Sequence, residues 1–133
     1  MFHFVMKRIR RQPSRLHKLS QRGFQGYPLA TICYYGPTAE RASKVAVGII
    51  RDATSEVDTM QRWFSEEEDA RHDPVIGAEI LHFIRQHGVR SVVLSPGIIG
   101  CPHEEGIDYP EGQKCPQCPY WANRDRFTNE RIQ

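Results

Sequence analysis

The sequence predicts an α+β fold in which three strands, one helix and a fourth strand lead into a cysteine-rich loop. Two observations carry this prediction. Four short segments are rich in β-branched and aromatic residues, and a segment with helical spacing of its apolar residues lies between the third and the fourth. Three of the four cysteines then fall within residues 101–118, which indicates a separate metal-binding loop after the last strand.

The composition is that of an ordinary globular domain. Hydrophobic residues make up 39% of the chain and charged residues 26%, which argues against wholesale disorder. The 133 residues suffice for one compact domain. The longest apolar runs, VAVGII and SVVL, are far too short to span a bilayer, so we expect no membrane-spanning helix.

The first three strands are expected to form an antiparallel meander. The segment PLATICYY ends at the turn signal GPT, and SKVAVGIIR follows this loop, so the two segments can pair as a hairpin. MQRWFS is a shorter third strand, with Trp63 or its neighbour facing the core. The acidic run EEEDARHD after it is expected to be a solvated loop.

Asp73 followed by Pro74 predicts the start of a helix, since an aspartate caps free amide groups and a proline suits the first turn. The helix is expected to end near His87, before Gly88. Its buried face consists of apolar residues at helical spacing, namely Ile76, Ile80, Phe83 and Ile84. VRSVVLS then predicts a buried strand, which a crossover connection places parallel to an earlier one.

This β-β-β-α-β order resembles the opening half of the ribonuclease H-like fold, and also some ribosomal-protein folds, over residues 27–96. The resemblance concerns topology and does not imply nuclease activity. A nuclease of that type holds divalent metal ions with carboxylates clustered at the strand ends. Here the first strand contains no acidic residue and the last ends in LSPG.

Residues 101–118 contain two pairs of potential metal ligands, separated by eleven residues rich in glycine and proline. The ligands are Cys101, His103, Cys115 and Cys118. Zinc prefers thiolate and imidazole ligands in a tetrahedron, and closely spaced pairs let a short loop wrap one ion. We therefore predict one structural zinc ion, with another metal or with redox or disulfide chemistry as alternatives. Cys33, in the first strand, is expected to be a small buried hydrophobic residue.

A catalytic zinc site is the alternative to a structural one. His-x-Glu followed by Cys-x-x-Cys resembles the zinc-dependent nucleoside deaminases, and this resemblance implies Glu104 or Glu105 as general base. The chain departs from that pattern at Lys114, where the family has proline, and in the short gap before Cys115. Cys101 would also take the position that a metal-bound water needs. The sequence therefore favours a structural ion and no catalytic residue.

The first 26 residues form a basic arm, because no acidic residue occurs before Glu40. Its seven cations are Lys7, Arg8, Arg10, Arg11, Arg15, Lys18 and Arg22. The other eleven basic residues share positions 40–133 with all sixteen acidic ones, so the arm carries +7 and the remainder −5. The segment SRLHKLSQ within the arm could make a short helical turn, with Leu16 and Leu19 on one face. We expect residues 1–26 to be flexible and residues 27–133 to form one domain, with the zinc module at about 97–127.

A basic arm on a mildly acidic body can tether a protein to nucleic acid or to an acidic surface. Trp121, Arg124 and Arg126 in the tail could add stacking on unpaired bases, unless Tyr120 and Trp121 instead cover the small metal module.

The arm could alternatively be a plain extension or an organellar transit peptide. We therefore expect a zinc-stabilised binding or adaptor protein of the cytoplasm, or of an organelle if the arm is a targeting segment. Its expected partner is nucleic acid, with RNA favoured, or a protein. A small zinc-dependent hydrolase or deaminase-like enzyme is the alternative.

Overall fold

The computed structural model describes residues 14–122 and Arg124. It shows an α+β fold with a four-stranded mixed sheet and one main helix, as the sequence predicts. The elements in chain order are α1 (Arg15–Ser20), β1 (Leu29–Tyr35), β2 (Lys44–Ile50), β3 (Thr59–Phe64), α2 (Pro74–Gln86) and β4 (Ser91–Ile98). Two 3₁₀ turns, Ala70–His72 and Pro119–Trp121, complete the described part of the chain.

The strand order in the sheet is β3-β2-β1-β4. β1 pairs with β2 and β2 with β3 in antiparallel fashion, whereas β4 lies parallel to β1. The predicted meander and the parallel return strand are thus confirmed. β3 and β4 are the edge strands of the described sheet, so the crossover through α2 passes over its two central strands.

Helix α2 begins and packs as predicted. The Asp73 carboxylate accepts hydrogen bonds from two amides of the first turn, so the helix start is capped. The helix ends at Gln86, and Gly88 follows with a φ of +62°, a conformation that glycine adopts without strain. The buried residues of the helix are the four predicted ones, Ile76, Ile80, Phe83 and Ile84.

The core lies between α2 and one face of the sheet. Alternate residues of β1 and β2, such as Ile32 and Val47, are fully buried there. Trp63 of β3 is also buried, and its ring meets that of Phe83 edge to face at a centroid distance of 5.8 Å. The prediction that Trp63 faces the core is therefore confirmed.

Helix α1 packs on this core, although the sequence assigns it to the basic arm. Leu16 is only 5% exposed and Leu19 is partly buried beside it, which confirms the predicted helical turn and its apolar face. The Ser91 hydroxyl fixes the following segment, because it accepts from the Gln25 amide and donates to the Gly26 carbonyl. Residues 1–13 lie outside the described chain, and the division into arm and domain stays a prediction.

Among the described residues, none of the helices combines the length and the apolar character needed to cross a bilayer.

Candidate metal centre

β4 leads directly into the loop that carries the predicted ligands. The chain beyond β4 stays beside β1, because the Ile99 amide donates to the Tyr34 carbonyl and the Gly36 amide donates to the Gly100 carbonyl. Both hydrogen bonds are 2.9 Å long. They bring Cys101, the first ligand, to the end of β1, so the sheet itself sets the starting position of the loop.

The four predicted ligands converge on one point. The candidate ligand atoms of Cys101, His103, Cys115 and Cys118 all lie within 4.8 Å of one another. Nδ1 of His103 is 3.3 Å from the Cys101 sulfur and 3.5 Å from each of the other two sulfurs. All three thiols are free, so no disulfide competes with a metal. The cluster is positioned to hold a metal ion.

The spacing of these atoms passes a simple geometric test. Around a tetrahedral ion with bonds of about 2.3 Å to sulfur and about 2.0 Å to nitrogen, nitrogen and sulfur lie about 3.5 Å apart. The three observed nitrogen–sulfur distances of 3.3 to 3.5 Å fall close to this value. Three sulfurs and one nitrogen would therefore complete a tetrahedron from protein atoms alone.

Tight turns inside the loop return the chain to the ligand point. Gly106 and Gly112 both have a φ of +84°, which favours glycine at these positions. The Glu105 carboxylate accepts from the Gly112 amide at 2.6 Å, and the Asp108 carboxylate accepts from the Glu104 amide at 2.7 Å. The glycines and acids between the two ligand pairs thus shape the loop, as their turn-forming character predicts.

Burial acts on the thiols of two ligands. It raises the pKa of the Cys101 and Cys118 thiols, and Cys118 is only 3% exposed. The His103 amide donates to the Cys101 sulfur at 3.3 Å and favours its thiolate, but this bond does not offset burial. A bound metal ion would supply positive charge here, since metals bind thiolates and displace their protons. With their raised pKa values, Cys101 and Cys118 suit a metal ligand better than a reactive nucleophile.

An ion-pair network fastens the loop to the sheet. The Lys44 ammonium, at the start of β2, donates to the Glu104 carboxylate at 2.6 Å and to the Pro102 carbonyl at 2.8 Å. Arg62 of β3 donates through two nitrogens to both oxygens of Glu104, with a distance of 2.9 Å from Nη2 to Oε1. The Arg62 guanidinium lowers the pKa of the Glu104 carboxyl. Two strands thus hold the segment between the ligands Cys101 and Cys115.

Lys44 is the functional residue that the sequence reasoning missed. It is only 3% exposed, and its ammonium lies 5.5 Å from the ring centroid of Tyr35 and 5.7 Å from that of Phe64. Both distances fall in the range of cation–π contacts. A lysine at the start of a strand gives no local signal of burial, because its partners lie 58 and 60 residues away.

Glu104 and Glu105, the two candidate general bases, make other interactions in this structure. A general base is most effective when its pKa lies near neutral pH. The Glu104 pKa is shifted in the opposite direction, and its oxygens are engaged by two cations. Glu105 is exposed and accepts a backbone hydrogen bond within the loop. Neither carboxylate is placed as a water-activating base at an open metal position.

The tail residues Tyr120 and Trp121 make contacts within the described fold. The Trp121 indole donates to the Gly36 carbonyl at 2.7 Å, and its ring packs against the core. The Arg124 guanidinium lies 4.2 Å from the ring centroid of Tyr120. Cys33 is half-buried in β1 and lies outside the core cluster, so its expected burial is only partial; burial raises its pKa.

The basic residues predicted to bind nucleic acid divide into two groups. Arg15 and Lys18 are exposed on α1. Arg124 is also described and is partly buried, whereas Lys7, Arg8, Arg10, Arg11 and Arg126 lie outside the described residues.

No protein-family model matches this chain, and comparisons with curated proteins and with solved structures found no similar protein. The resemblance to the ribonuclease H-like fold accordingly stays one of element order. What the protein does has to be inferred from its own residues.

Proposed function

We propose that this chain is a zinc-stabilised binding protein, in which the metal ion is structural and the partner is nucleic acid, with RNA favoured. The observation that carries the first half of the proposal is the convergence of four protein ligands on one point. A catalytic zinc site keeps one position for water or substrate, whereas a structural site is closed by four protein ligands. The donor set of this loop belongs to the second kind.

Zinc is the ion that these donors suit. Thiolates select soft or borderline metals such as zinc, iron in clusters or monovalent copper, and three thiolates with one imidazole form a common structural zinc set. The nitrogen–sulfur distances agree with zinc bond lengths, as worked out above. When bound, the ion would supply the charge that keeps three thiolates together. His103 and the three cysteines would hold it, and Lys44 with Arg62 would hold the loop.

Charge distribution supports nucleic acid as the partner. The seven cations before the first acidic residue form a basic segment on an otherwise acidic chain. Such a segment attracts phosphates and releases condensed counterions, which gives binding that weakens steeply with salt. Arg15 and Lys18 of this segment are exposed on α1, so they are accessible to a partner. Trp121 is engaged with the fold and contributes to its stability instead.

The test is a titration of labelled single-stranded RNA with full-length protein at 50 and 200 mM salt. We expect binding at the lower salt that weakens at least about tenfold at the higher, because several phosphate contacts are lost together. The matched variant replaces Lys7, Arg8, Arg10 and Arg11 with glutamine and should bind more weakly with a shallower salt dependence. Absence of binding by the full-length protein at 50 mM salt would contradict nucleic acid as the partner.

A further inference from the structure

Five basic side chains line one groove between α1 and the C-terminal end of α2. They are Arg15, Lys18, Arg22, Arg85 and Arg90, and we call this feature the basic groove. The cavity measures about 300 Å³, and aliphatic residues such as Leu19, Leu81 and Ile84 line it between the cations. No acidic residue of the described chain lines it. The groove therefore combines an apolar floor with a concentrated positive charge.

Among the residues that the structure describes, the five cations of the basic groove have no ion-pair partner. Within the described chain, none of their side chains makes a hydrogen bond or an ion pair. Cations elsewhere in the described chain do, as in the ion pairs Lys44–Glu104, Arg62–Glu104, Arg51–Asp58 and Arg71–Asp69. Uncompensated like charges repel one another and destabilise a compact state. A negatively charged partner would offset this repulsion.

The fold assembles the basic groove from three separate segments. Arg15, Lys18 and Arg22 follow one another at helical spacing and lie to one side of the buried Leu16. Arg85 lies in the last turn of α2, and Arg90 immediately precedes β4. The convergence depends on the docking of α1, which the burial of Leu16 and the hydrogen bonds of Ser91 fix in place.

Gly26 contributes room for one of the cations. Its φ is +105°, and a β-carbon at this position would lie only 3.1 Å from the Arg90 guanidinium carbon. The guanidinium therefore packs directly against the backbone of the segment that connects α1 to β1. Arg90 thus lines the same groove as the cations of α1.

We propose that the basic groove binds the phosphate backbone of a nucleic-acid strand. The inference rests on the proposed function and names the surface that performs it. Four more cations precede α1 in the sequence, at positions 7, 8, 10 and 11, so the basic character of the chain is not confined to the groove residues, as suits a polymer of phosphates. The aliphatic floor suits sugar and base edges between successive phosphates.

An anionic membrane fits this surface less well. Surface-bound amphipathic helices insert a large apolar face into the bilayer. In α1 the apolar residues are Leu16 and Leu19, and both pack toward the protein core. The outward side of α1 is charged and has no exposed apolar face, so a phosphate strand suits this surface better than a membrane.

The experiment compares two double variants of the full-length protein that remove the same charge. Arg85→Gln with Arg90→Gln alters the basic groove, whereas Arg51→Gln with Lys114→Gln alters cations outside it. Labelled single-stranded RNA is titrated between 50 and 200 mM salt. Each single-strand phosphate contact contributes about 0.7 to the slope of log affinity against log salt. The groove variant should therefore lose about 1.4 of slope, and the control variant should bind as the unmodified protein does.

Two additions make the outcome unambiguous. Arg85→Lys with Arg90→Lys keeps the charge and should retain most of the affinity, since phosphate contacts depend chiefly on charge. In parallel, the binding of the same proteins to vesicles of anionic phospholipid is measured. Equal RNA binding by groove and control variants would overturn the basic groove while leaving nucleic-acid binding intact. If the groove variant lost vesicle binding but kept RNA binding, the assignment of the groove to a phosphate strand would be overturned. If the unmodified protein did not bind RNA, the proposed function and this inference would both be removed.

Discussion

Lys44 couples the sheet to the metal loop through a single buried ammonium group. Removing one partner of a buried ion pair is costly, because the remaining charge stays buried without compensation. Here Glu104 is that partner, and its carboxylate also takes up the Arg62 guanidinium. The stability of the loop should therefore depend on the charge of Glu104 as well as on the metal.

We expect Glu104→Gln to lower the free energy of unfolding by about 1–3 kcal/mol, since two cations lose their counter-charge. Glu105→Gln is the matched control. It makes the same chemical change at an exposed neighbour with one backbone hydrogen bond, and should cost less than about 1 kcal/mol. Urea unfolding of both variants measures the difference. Equal midpoints for the two variants would refute the role assigned to the Lys44–Glu104 pair.

At the scale of single residues, the metal ligands could be predicted from the sequence, but the contacts of Lys44 that hold the metal loop could not. Cys101 with His103, and Cys115 with Cys118, are recognisable because each pair is local in sequence. The role of Lys44 depends on partners that only the folded sheet brings near it.

At the scale of elements, the metal loop is the part of the chain with the smallest core of its own. Its residues from 104 to 114 are mostly exposed, apart from Glu104 and Tyr109, which are partly buried. Small modules of this kind need a metal or cross-links, because they bury too little apolar surface to fold alone. The sheet and α2 have a separate core, built on residues such as Ile32, Val47 and Ile80. Metal loss should consequently affect the loop before the sheet.

Cys118→Ser should abolish metal retention and open the loop to proteolysis, while circular dichroism of the sheet and helix largely persists. Binding of a structural zinc ion contributes on the order of 10 kcal/mol of folding free energy in isolated modules, so one lost ligand is enough to release the loop. Cys33→Ser, the same replacement outside the cluster, should keep its metal. Elemental analysis and limited proteolysis test this. A Cys118→Ser protein with unchanged metal content and an intact loop would disprove the ligand assignment.

The strands could be predicted from their β-branched and aromatic residues, and α2 from apolar residues at helical spacing. The end of β4 could not. Ser-Pro-Gly signals a turn, yet β4 continues to Ile98 with a register shift opposite β1. The Ser95 hydroxyl accepts from the Tyr34 amide in place of a backbone carbonyl, and Gly97 has a φ of +144°. Sequence periodicity cannot reveal such an irregularity, because it depends on which side chain replaces a ladder hydrogen bond.

At the scale of the whole molecule, two groups of charges differ in their partners. One is the ion-pair network of Lys44, Arg62 and Glu104 beside the metal loop, and the other is the basic groove between α1 and α2, whose cations have no ion-pair partner in the described part of the chain. The excess of cations near the N-terminus is visible in the sequence. Its continuation through Arg85 and Arg90 is not, because these residues join α1 only when Leu16 docks on the core.

The central claim is a closed zinc site made of protein atoms, and X-ray absorption spectroscopy at the zinc edge tests it most directly. Protein purified without added metal should contain about one zinc ion per chain. Its first coordination shell should consist of three sulfurs at about 2.3 Å and one nitrogen at about 2.0 Å. Absence of zinc, or a shell in which an oxygen replaces one of the sulfurs, would contradict a structural site formed by Cys101, His103, Cys115 and Cys118.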